Sequence, residues 1–244
     1  MINYNNHNIT GISYNNHSIK YVYGCGGNLV WSGDTPTPPT GRKWVATYSD
    51  SHSEYGECGA YSAITNGEIV KTNLVSVEIG NCVSGLTDYA FSSCVILSSV
   101  TFSNTITTIG NGTFDGCVSL SSLTLPYSLV NISGSSFINC SGLTSVTFAE
   151  NSQLENIGNS AFTRCNSLIS IDIPSGVTSI GYNAFWNCTS LTAVTVNATT
   201  PPTLGSYAFN NTNNCPIYVP CNSVEAYKTT TGWSNYASRI QAIP

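Results

Sequence analysis

The chain has 244 residues and a formal net charge of -5, and only 8% of its residues are Asp, Glu, Lys or Arg. Typical soluble domains carry about 25% charged residues, so Ser, Thr and Asn supply most of the polar surface here. The only Lys or Arg between Lys71 and Lys228 is Arg164, whereas a nucleic-acid groove needs clustered cations. No window approaches the roughly 20 apolar residues of a membrane span. We therefore expect neither nucleic-acid binding nor membrane insertion.

Residues 2–31 contain one ten-residue unit written three times, as INYNNHNITG, ISYNNHSIKY and VYGCGGNLVW. Asn and Gly tolerate the positive φ of two-residue turns, so each unit predicts a strand, a tight turn and a strand. Residues 1–31 together predict a small β-meander. Because some thirty residues in such strands are marginal alone, we expect this segment to be an anchor that docks on a partner. Its candidate contact residues are Ile2, Tyr4, Ile12, Tyr14, Tyr21, Tyr23 and Trp31.

Several histidines and cysteines in the first 58 residues could suggest chemistry. His7 and His17 occupy equivalent turn positions, so we interpret them as products of the repeat. The GCGG stretch around Cys25 lacks the helix and downstream acid of a dinucleotide site, which favours a turn. His52 and Cys58 could form a nucleophile pair or bind a cation, but a solvated loop is the preferred interpretation. Their acidic neighbours are Asp50, Glu54 and Glu57.

A stiff Pro/Thr-rich linker follows the predicted meander. It has the sequence SGDTPTPPTG and occupies residues 32–41, and its composition is typical of a spacer that separates two modules. Residues 42–73 then predict two or three short strands. We expect them to form a β cap that leads into the repeats described next.

Five cysteines, each three residues after a phenylalanine, are separated by 23, 23, 25 and 23 residues. This period is typical of a solenoid. Six repeats are readable from Leu74 onward, and residues 74–221 form the predicted repeat domain. One repeat cannot bury enough apolar surface to order its own backbone, so we expect neighbouring repeats to stack as parallel strands. The cysteines are Cys94, Cys117, Cys140, Cys165 and Cys188.

We expect this cysteine column to consist of buried free thiols. Equivalent residues on stacked repeats lie near the strand spacing of about 4.8 Å, whereas a disulfide needs a Cβ separation of about 3.8 Å. Cys215 and Cys221 flank a predicted strand, PIYVP, which keeps them too far apart to pair. Because no histidine follows His52 and no two cysteines are three residues apart, the spacing does not indicate a metal site. We expect no cofactor.

Residues 222–244 predict a short helical cap. Asn222 and Glu225 are spaced as a helix N-cap pair, the segment 226–229 continues the helix, and Gly232 is a candidate terminator. Three apolar residues beyond it are expected to cover the last repeat, as terminal caps of solenoids do. They are Trp233, Tyr236 and Ile240.

The repeat pattern LxxVxFxxxIxxIGxxAFxxCxx resembles the BspA-like leucine-rich repeat, and the resemblance covers residues 74–243. It implies a mainly β protein, a right-handed leucine-rich-repeat β-solenoid of about six 23-residue rungs, with the small N-terminal β-meander and the short C-terminal helical cap added. This family consists of bacterial surface and adhesion proteins, so the resemblance also implies a role of that kind. Such a likeness indicates the fold more closely than the ligand.

Outward positions of the first strand of each rung predict a ligand-binding face rich in hydroxyl groups. A regular polar sheet suits contact with a polysaccharide or a protein, although a plain soluble surface would use the same residues. Tyr182 and Trp186 either add an exposed aromatic pair or pack on Tyr207 beneath the cap. The candidate residues are Ser99, Thr101, Ser122, Thr124, Ser145, Thr147, Ser170, Asp172, Tyr182 and Trp186.

Glycoside hydrolysis needs two carboxylates within about 10 Å of each other. The candidates Glu78 and Asp172 lie four rungs apart, near 19 Å at the stacking distance of parallel strands. We therefore expect a non-enzymatic protein.

Residues 1–73 resemble virion structural proteins of tailed phages that infect gut bacteria, through the meander, the Pro/Thr linker and the pattern KWVATYSD…C…AITNGEI. This resemblance implies a phage fibre or decoration protein in the virion, anchored to other virion proteins by its N-terminus and touching a host surface protein or polysaccharide. Because such fibres are usually homotrimeric, this resemblance also implies that the chain forms a homo-oligomer, with a trimer as the first guess. A start at Met1 without a secretion signal favours this hypothesis. The alternative is a secreted or surface-anchored bacterial BspA-like adhesin, which a signal peptide upstream in the gene would favour.

Overall fold

We analysed a computed structural model of the chain. It describes residues 44–51, 53–54, 69, 71 and 73–244 in full, and elsewhere only the backbone of strands.

The N-terminal strands pair antiparallel, β1 with β2, β3 with β4 and β5 with β6. Their bounds are β1 Ile2–Tyr4, β2 His7–Ile9, β3 Ile12–Tyr14, β4 His17–Ile19, β5 Tyr21–Tyr23 and β6 Leu29–Trp31.

Each N-terminal pair is a two-stranded sheet of its own. A strand pair therefore forms within each ten-residue unit, as predicted, and the joining of the three pairs into one meander stays a prediction. His7 and His17 begin β2 and β4 and do not lie in the turns. The side chains of the predicted anchor, the linker at 32–41 and Cys25 lie outside the described residues.

From residue 42 onward the strands form two series on two sides of a solenoid, and they alternate between the series from β8 to β22. One series comprises β7 Arg42–Tyr48, β8 Ser53–Glu57, β10 Leu74–Ile79, β12 Ser99–Thr101, β14 Ser122–Leu125, β16 Ser145–Phe148, β18 Ser170–Ile173, β20 Ala193–Val196, β22 Ile217–Val219 and β23 Ile240–Ala242. The other series comprises β9 Ala63–Ile64, β11 Gly85–Leu86, β13 Thr108–Ile109, β15 Asn131–Ile132, β17 Asn156–Ile157, β19 Ser179–Ile180 and β21 Thr203–Leu204.

The second series forms one seven-stranded parallel sheet, β21-β19-β17-β15-β13-β11-β9, which we call the short-strand sheet. Its register places the buried isoleucines of successive rungs beside one another, for example Ile132 beside Ile157. The solenoid therefore has about seven turns, one more than the sequence indicates. The extra turn begins at Ala63, within the segment predicted as a β cap.

The core contains an unbroken column of six buried phenylalanines. Consecutive ring centroids lie 5.1–5.3 Å apart and the ring planes are inclined by only 2–10°. Each ring comes from the closing turn of one rung, so the stack joins every rung to the next. The column consists of Phe91, Phe114, Phe137, Phe162, Phe185 and Phe209.

Each closing turn contains two residues with left-handed backbone conformation. The first stands two positions before the phenylalanine, and the second stands two positions after it. The first group has φ between 55° and 61°, a region that bulky side chains seldom adopt. The turns also form a backbone ladder, in which Phe114 N–H donates to Ser136 O at 2.7 Å and Phe137 N–H to Ala161 O at 2.8 Å. The first group comprises Tyr89, Gly112, Ser135, Ser160, Asn183 and Tyr207.

The cysteine column is buried and its five thiols are free, which confirms the sequence prediction. Four of these thiols donate to the carbonyl of the preceding rung's phenylalanine at 3.1–3.3 Å, as Cys140 does to Phe114. Burial raises the pKa of Cys94 to about 11 and those of Cys140 and Cys188 to about 12. The neutral thiols therefore stabilise the fold below the unfolded pKa of about 8.5, and this contribution is lost as pH rises towards the folded values.

Three further cysteines lie in the described residues. Cys215 and Cys221 do not pair with each other, as predicted; both are free, and Cys221 is exposed. Cys82 is disulfide-bonded, and its partner lies outside the described residues.

Strands β7 and β8 pair antiparallel and cover the first rung, because β7 is also hydrogen-bonded antiparallel to β10. Trp44, Ala46 and Tyr48 of β7 are buried against the core. This antiparallel pair therefore covers the N-terminal end of the parallel stack.

The C-terminal cap contains one helix, α1 Val224–Thr229, between 3-10 turns at Cys221–Ser223 and Trp233–Arg239. The predicted N-cap at Asn222 is wrong, because the N-cap is Ser223, whose hydroxyl donates to Thr199 O at 2.7 Å. The helix ends at Thr229 and not at Gly232.

Aromatic residues of the cap cover the last rung, as predicted. Trp233 is fully buried with its ring 5.8 Å from that of Phe209, and Tyr236 meets Phe209 edge to face at 5.9 Å. Ile240 is buried as well. The buried polar groups have partners, since Trp233 Nε1 donates to Pro202 O at 2.7 Å and Tyr227 Oη to Ala198 O at 2.7 Å. The phenylalanine column therefore ends in a cap that is also hydrogen-bonded to the preceding turn.

We expect iodoacetamide at about pH 8 to alkylate Cys221 in the folded protein and to leave the five column thiols unmodified. The thiolate is the reactive form, and burial both blocks access and raises the pKa of these thiols. Peptide mass mapping after a timed reaction measures the outcome, with protein unfolded in guanidinium chloride as the control in which all five react. A column thiol that reacts as fast as Cys221 in the folded protein would contradict this arrangement.

Candidate functional site

The predicted hydroxyl face lies on the first-strand series. Its Ser, Thr and Asp side chains are exposed, while the alternating Val100, Leu123, Val146 and Ile171 are buried. None of the eight exposed side chains makes a hydrogen bond within the described part of the chain, so their polar groups are available to solvent or a ligand. Their binding role stays a prediction. They are Ser99, Thr101, Ser122, Thr124, Ser145, Thr147, Ser170 and Asp172.

A second surface, which the sequence did not indicate, lies on the outer face of the short-strand sheet. It is an open groove of about 680 Å³ that runs across the rungs from Asn111 to Gly205, and we call it the amide groove. Each short strand turns its second residue inward, so that Ile132, Ile157 and Ile180 are buried. The first residue of each strand and the residues just after the strand line the groove.

A chain of side-chain hydrogen bonds orients the groove's amides. Ser179 Oγ donates to Asn156 Oδ1, Asn156 Nδ2 donates to Asn131 Oδ1, and Asn131 Nδ2 donates to Ser133 Oγ at 3.2 Å. Asn131, Asn156 and Ser179 stand on three adjacent strands in parallel register, and Ser133 directly follows the first of these strands. Because a side-chain amide has two N–H hydrogens, Asn131 and Asn156 each keep one for a further partner.

A second column of polar side chains bridges the rungs through the backbone. Asn111 Oδ1 accepts from Gly134 N at 3.0 Å, and Asn159 Oδ1 accepts from Tyr182 N at 2.9 Å. At the N-terminal end of the column, Asp88 Oδ1 accepts from Asn111 N at 2.7 Å. These bonds fix the side chains of Asn111 and Asn159 at the edge of the amide groove.

Glycines let the rungs approach closely beneath the groove. A Cβ built on Gly181 would lie 2.5 Å from Asn159 N, and one on Gly205 would lie 2.2 Å from Tyr182 N. Neither glycine has a left-handed φ, so the requirement comes from contact with the backbone of the preceding rung. Glycine at these two positions therefore permits the close approach of adjacent rungs.

Tyr182 and Trp186 do not form one aromatic platform. Tyr182 lines the amide groove and meets Tyr207 edge to face, with ring centroids 6.0 Å apart. Trp186 is half-buried, and the Arg164 guanidinium lies 5.5 Å from its ring centroid. The predicted packing on Tyr207 holds for Tyr182, although both tyrosines remain about half exposed, at 47% and 56%.

The other residues considered for chemistry are dispersed or lie outside the described part of the chain. His52, Cys58 and the side chain of Glu57 are not described, Asp50 is exposed, and Glu54 accepts a hydrogen bond from Tyr48 Oη at 2.9 Å. Within the described residues, no three His, Cys, Asp or Glu side chains are grouped as metal ligands would be. No helix among them is long and apolar enough to cross a membrane.

Together, the stacked short strands, the phenylalanine column and the polar outer surfaces define a leucine-rich-repeat solenoid. A model of the BspA type leucine-rich repeat region matches the chain in six copies, over residues 62–192 and 151–231. These matches cover well over half of the 244 residues, and the chain belongs to the BspA-type leucine-rich repeat family. The search of curated proteins found no match.

Three solved structures share the fold at low sequence identity. A T. pallidum leucine-rich repeat protein, TpLRR, is 24% identical with a TM-score of 0.56, and the match covers 75% of this chain and 91% of that one. A leucine-rich cell surface protein from Faecalibacterium prausnitzii is 22% identical with a TM-score of 0.58, covering 91% and 57% respectively. The pneumococcal vaccine antigen PcpA is 20% identical with a TM-score of 0.52, covering 87% and 65%.

We expect Gly181→Ala to lower the free energy of unfolding by about 1–3 kcal/mol, because the added methyl group must displace the backbone of the preceding rung. Gly85→Ala is a matched control in the same sheet, since its Cβ would lie at an ordinary 3.5 Å from Thr108 O. Urea denaturation of both variants measures the difference. Equal stability losses would contradict the close approach at the groove.

Proposed function

We propose that this protein is a non-enzymatic recognition module that displays its solenoid at a bacterial surface, where it adheres to a host or matrix component. The observation that carries the proposal is the match to six copies of the BspA-type repeat. Such a solenoid offers long, regular surfaces on a rigid support, an arrangement that suits binding of extended partners.

The character of the exposed surface supports a binding role. The hydroxyl face and the amide groove are both built from hydroxyl and amide groups held at the regular spacing of the rungs. These groups bind partners through many individually weak hydrogen bonds. Support for the surface location comes from the F. prausnitzii structure, whose protein is described as a leucine-rich cell surface protein.

A phage virion protein remains the second candidate, and the pattern of residues 1–73 is what favours it. Under that hypothesis the N-terminal strand pairs dock on other virion proteins, and the solenoid is displayed by a fibre or a decoration. The homo-oligomer and the N-terminal anchor stay predictions under either hypothesis. Both candidates require the solenoid to face outward. They differ in what carries it, which is the bacterial cell in the first and the phage particle in the second.

An antibody raised against residues 74–244 separates the two candidates. We expect it to label intact cells of the source bacterium and expect brief protease treatment of those cells to remove the label. The same culture supplies density-purified phage particles as the comparison sample. Label confined to those particles would favour the virion hypothesis, and label found only inside lysed cells would contradict display altogether.

A further inference from the structure

We propose that the amide groove binds a neutral glycan strand and that Tyr182, supported by Tyr207, is the platform on which one sugar ring stacks. The inference rests on the proposed recognition function and adds to it a site and a ligand class. It places recognition on the short-strand sheet, where the predicted ligand-binding residue Tyr182 lies, whereas the predicted Ser, Thr and Asp residues lie on the hydroxyl face.

The charge of the groove selects against ionic ligands. The described residues that line it are Asn, Ser, Thr, Gly, Tyr and two aliphatic side chains, all uncharged at neutral pH. A carboxylate, sulfate or phosphate that enters such a site loses hydration without gaining an opposite charge. A neutral ligand that carries many hydroxyl groups does not incur that cost.

The groove also presents hydrogen-bond donors that are already oriented. Asn131 Nδ2 donates one hydrogen to Ser133 Oγ and Asn156 Nδ2 donates one to Asn131 Oδ1, so each side chain has one amide hydrogen left. The Asn159 side-chain nitrogen has no partner within the described part of the chain, while its oxygen is held by Tyr182 N. Because these amides are held in place before a ligand arrives, binding loses little side-chain entropy.

The spacing of these groups suits a linear polymer. Asn131 and Asn156 lie on adjacent parallel strands, which are separated by about 4.8 Å, and Ser179 continues the row on the next strand. This repeat is close to the length of one pyranose unit, so successive sugar hydroxyls can meet successive rungs. An extended peptide would instead favour a free strand edge, and the floor of the groove is the face of a sheet.

The aromatic pair supplies the apolar contact that a sugar ring needs. A pyranose has an apolar C–H face, and an exposed tyrosine ring offers a flat surface that packs against it. Tyr182 is exposed on the groove side, and its contact with Tyr207 at 6.0 Å holds its ring in position. Large aromatic side chains of this kind are frequent energetic anchors of binding sites.

The backbone of Tyr207 adds an independent observation. Its φ is 61°, and bulky residues seldom adopt the left-handed region. Equivalent rungs use smaller residues there, Gly112, Ser135 or Asn183, and Gly and Asn tolerate this conformation best. Tyr89, at the same position of an earlier rung, packs its ring over Gly112. Tyr207 instead supports the tyrosine that lines the groove.

Binding of defined oligosaccharides to the full-length chain tests the inference. The neutral probes are cellohexaose, maltohexaose, mannohexaose and galactohexaose, and the acidic probes are hexagalacturonate and a sulfated hexasaccharide. Immobilised probes identify the ligand, and calorimetry measures its affinity. We expect at least one neutral probe to bind and the acidic probes to bind at least about tenfold more weakly.

Three variants locate the site. Tyr182→Ala is expected to weaken binding of the neutral probe at least about tenfold, the loss typical of an aromatic anchor. The matched control is Tyr127→Ala, which removes a tyrosine of similar exposure, 43%, that does not line the groove and should leave the affinity unchanged. The double variant Thr124→Ala with Thr147→Ala compares the two surfaces, and its loss of affinity for the neutral probe should be smaller than that of Tyr182→Ala. Thermal unfolding of each variant confirms that the fold is retained.

Several outcomes would overturn the inference. They are preferential binding of the acidic probes, loss of binding in the hydroxyl-face variant but not in Tyr182→Ala, and binding to none of the neutral probes. Each of these leaves the surface-display proposal standing if intact cells are labelled by antibody. Binding that depends on Tyr182 in a protein that labels no surface would instead uphold the groove and refute the display proposal.

Discussion

The stacking of one phenylalanine per rung is the interaction on which the rest of this structure depends. Each ring is fully buried, and the four inner rings are each stacked nearly parallel between two equivalents. A single rung has no second ring against which to pack, so its apolar residues stabilise the fold only when neighbours are present. The column thereby makes the chain one continuous core from β7 to the C-terminal cap.

The column also explains the chemistry around it. A phenylalanine on the inside of each closing turn leaves its own carbonyl pointing along the stack, and the cysteine of the next rung donates to that carbonyl. The thiol is small enough for the space and polar enough for the bond, so it fits the column without any disulfide or metal. On the outer face of the short-strand sheet, Asn and Ser side chains of adjacent rungs are hydrogen-bonded, and Gly181 and Gly205 let the rungs approach closely there. One rung repeat thus produces both the dry core and the ordered polar groove.

The sequence predicted the repeated elements well because each is marked by its own periodic residue. The phenylalanine and cysteine spacing predicted the stacked rungs, the buried thiols and the alternation of the first strands, and Trp233 and Tyr236 predicted the cap. The turn that begins at Ala63 was missed because it carries neither marker. Asn222 satisfies a local N-cap rule, but the Thr199 carbonyl, a tertiary partner, positions Ser223 instead. The amide groove was missed because its residues vary from rung to rung, and two-residue strands do not show a clear alternation. Only the register of Asn131, Asn156 and Ser179 in space reveals that they form one row.

Equilibrium unfolding of Phe137→Ala tests the central claim most directly, because Phe137 stands in the middle of the column with a stacked ring on each side. Removal of a fully buried phenyl ring leaves a cavity that costs about 3–5 kcal/mol. Ile169→Ala, at a site that is 53% exposed, is the control and should change stability by no more than about 0.5 kcal/mol. A loss of several kcal/mol confined to Phe137→Ala is the result that the phenylalanine column predicts. If both variants unfolded at the same urea concentration as the parent protein, the stack would not be what holds the rungs together.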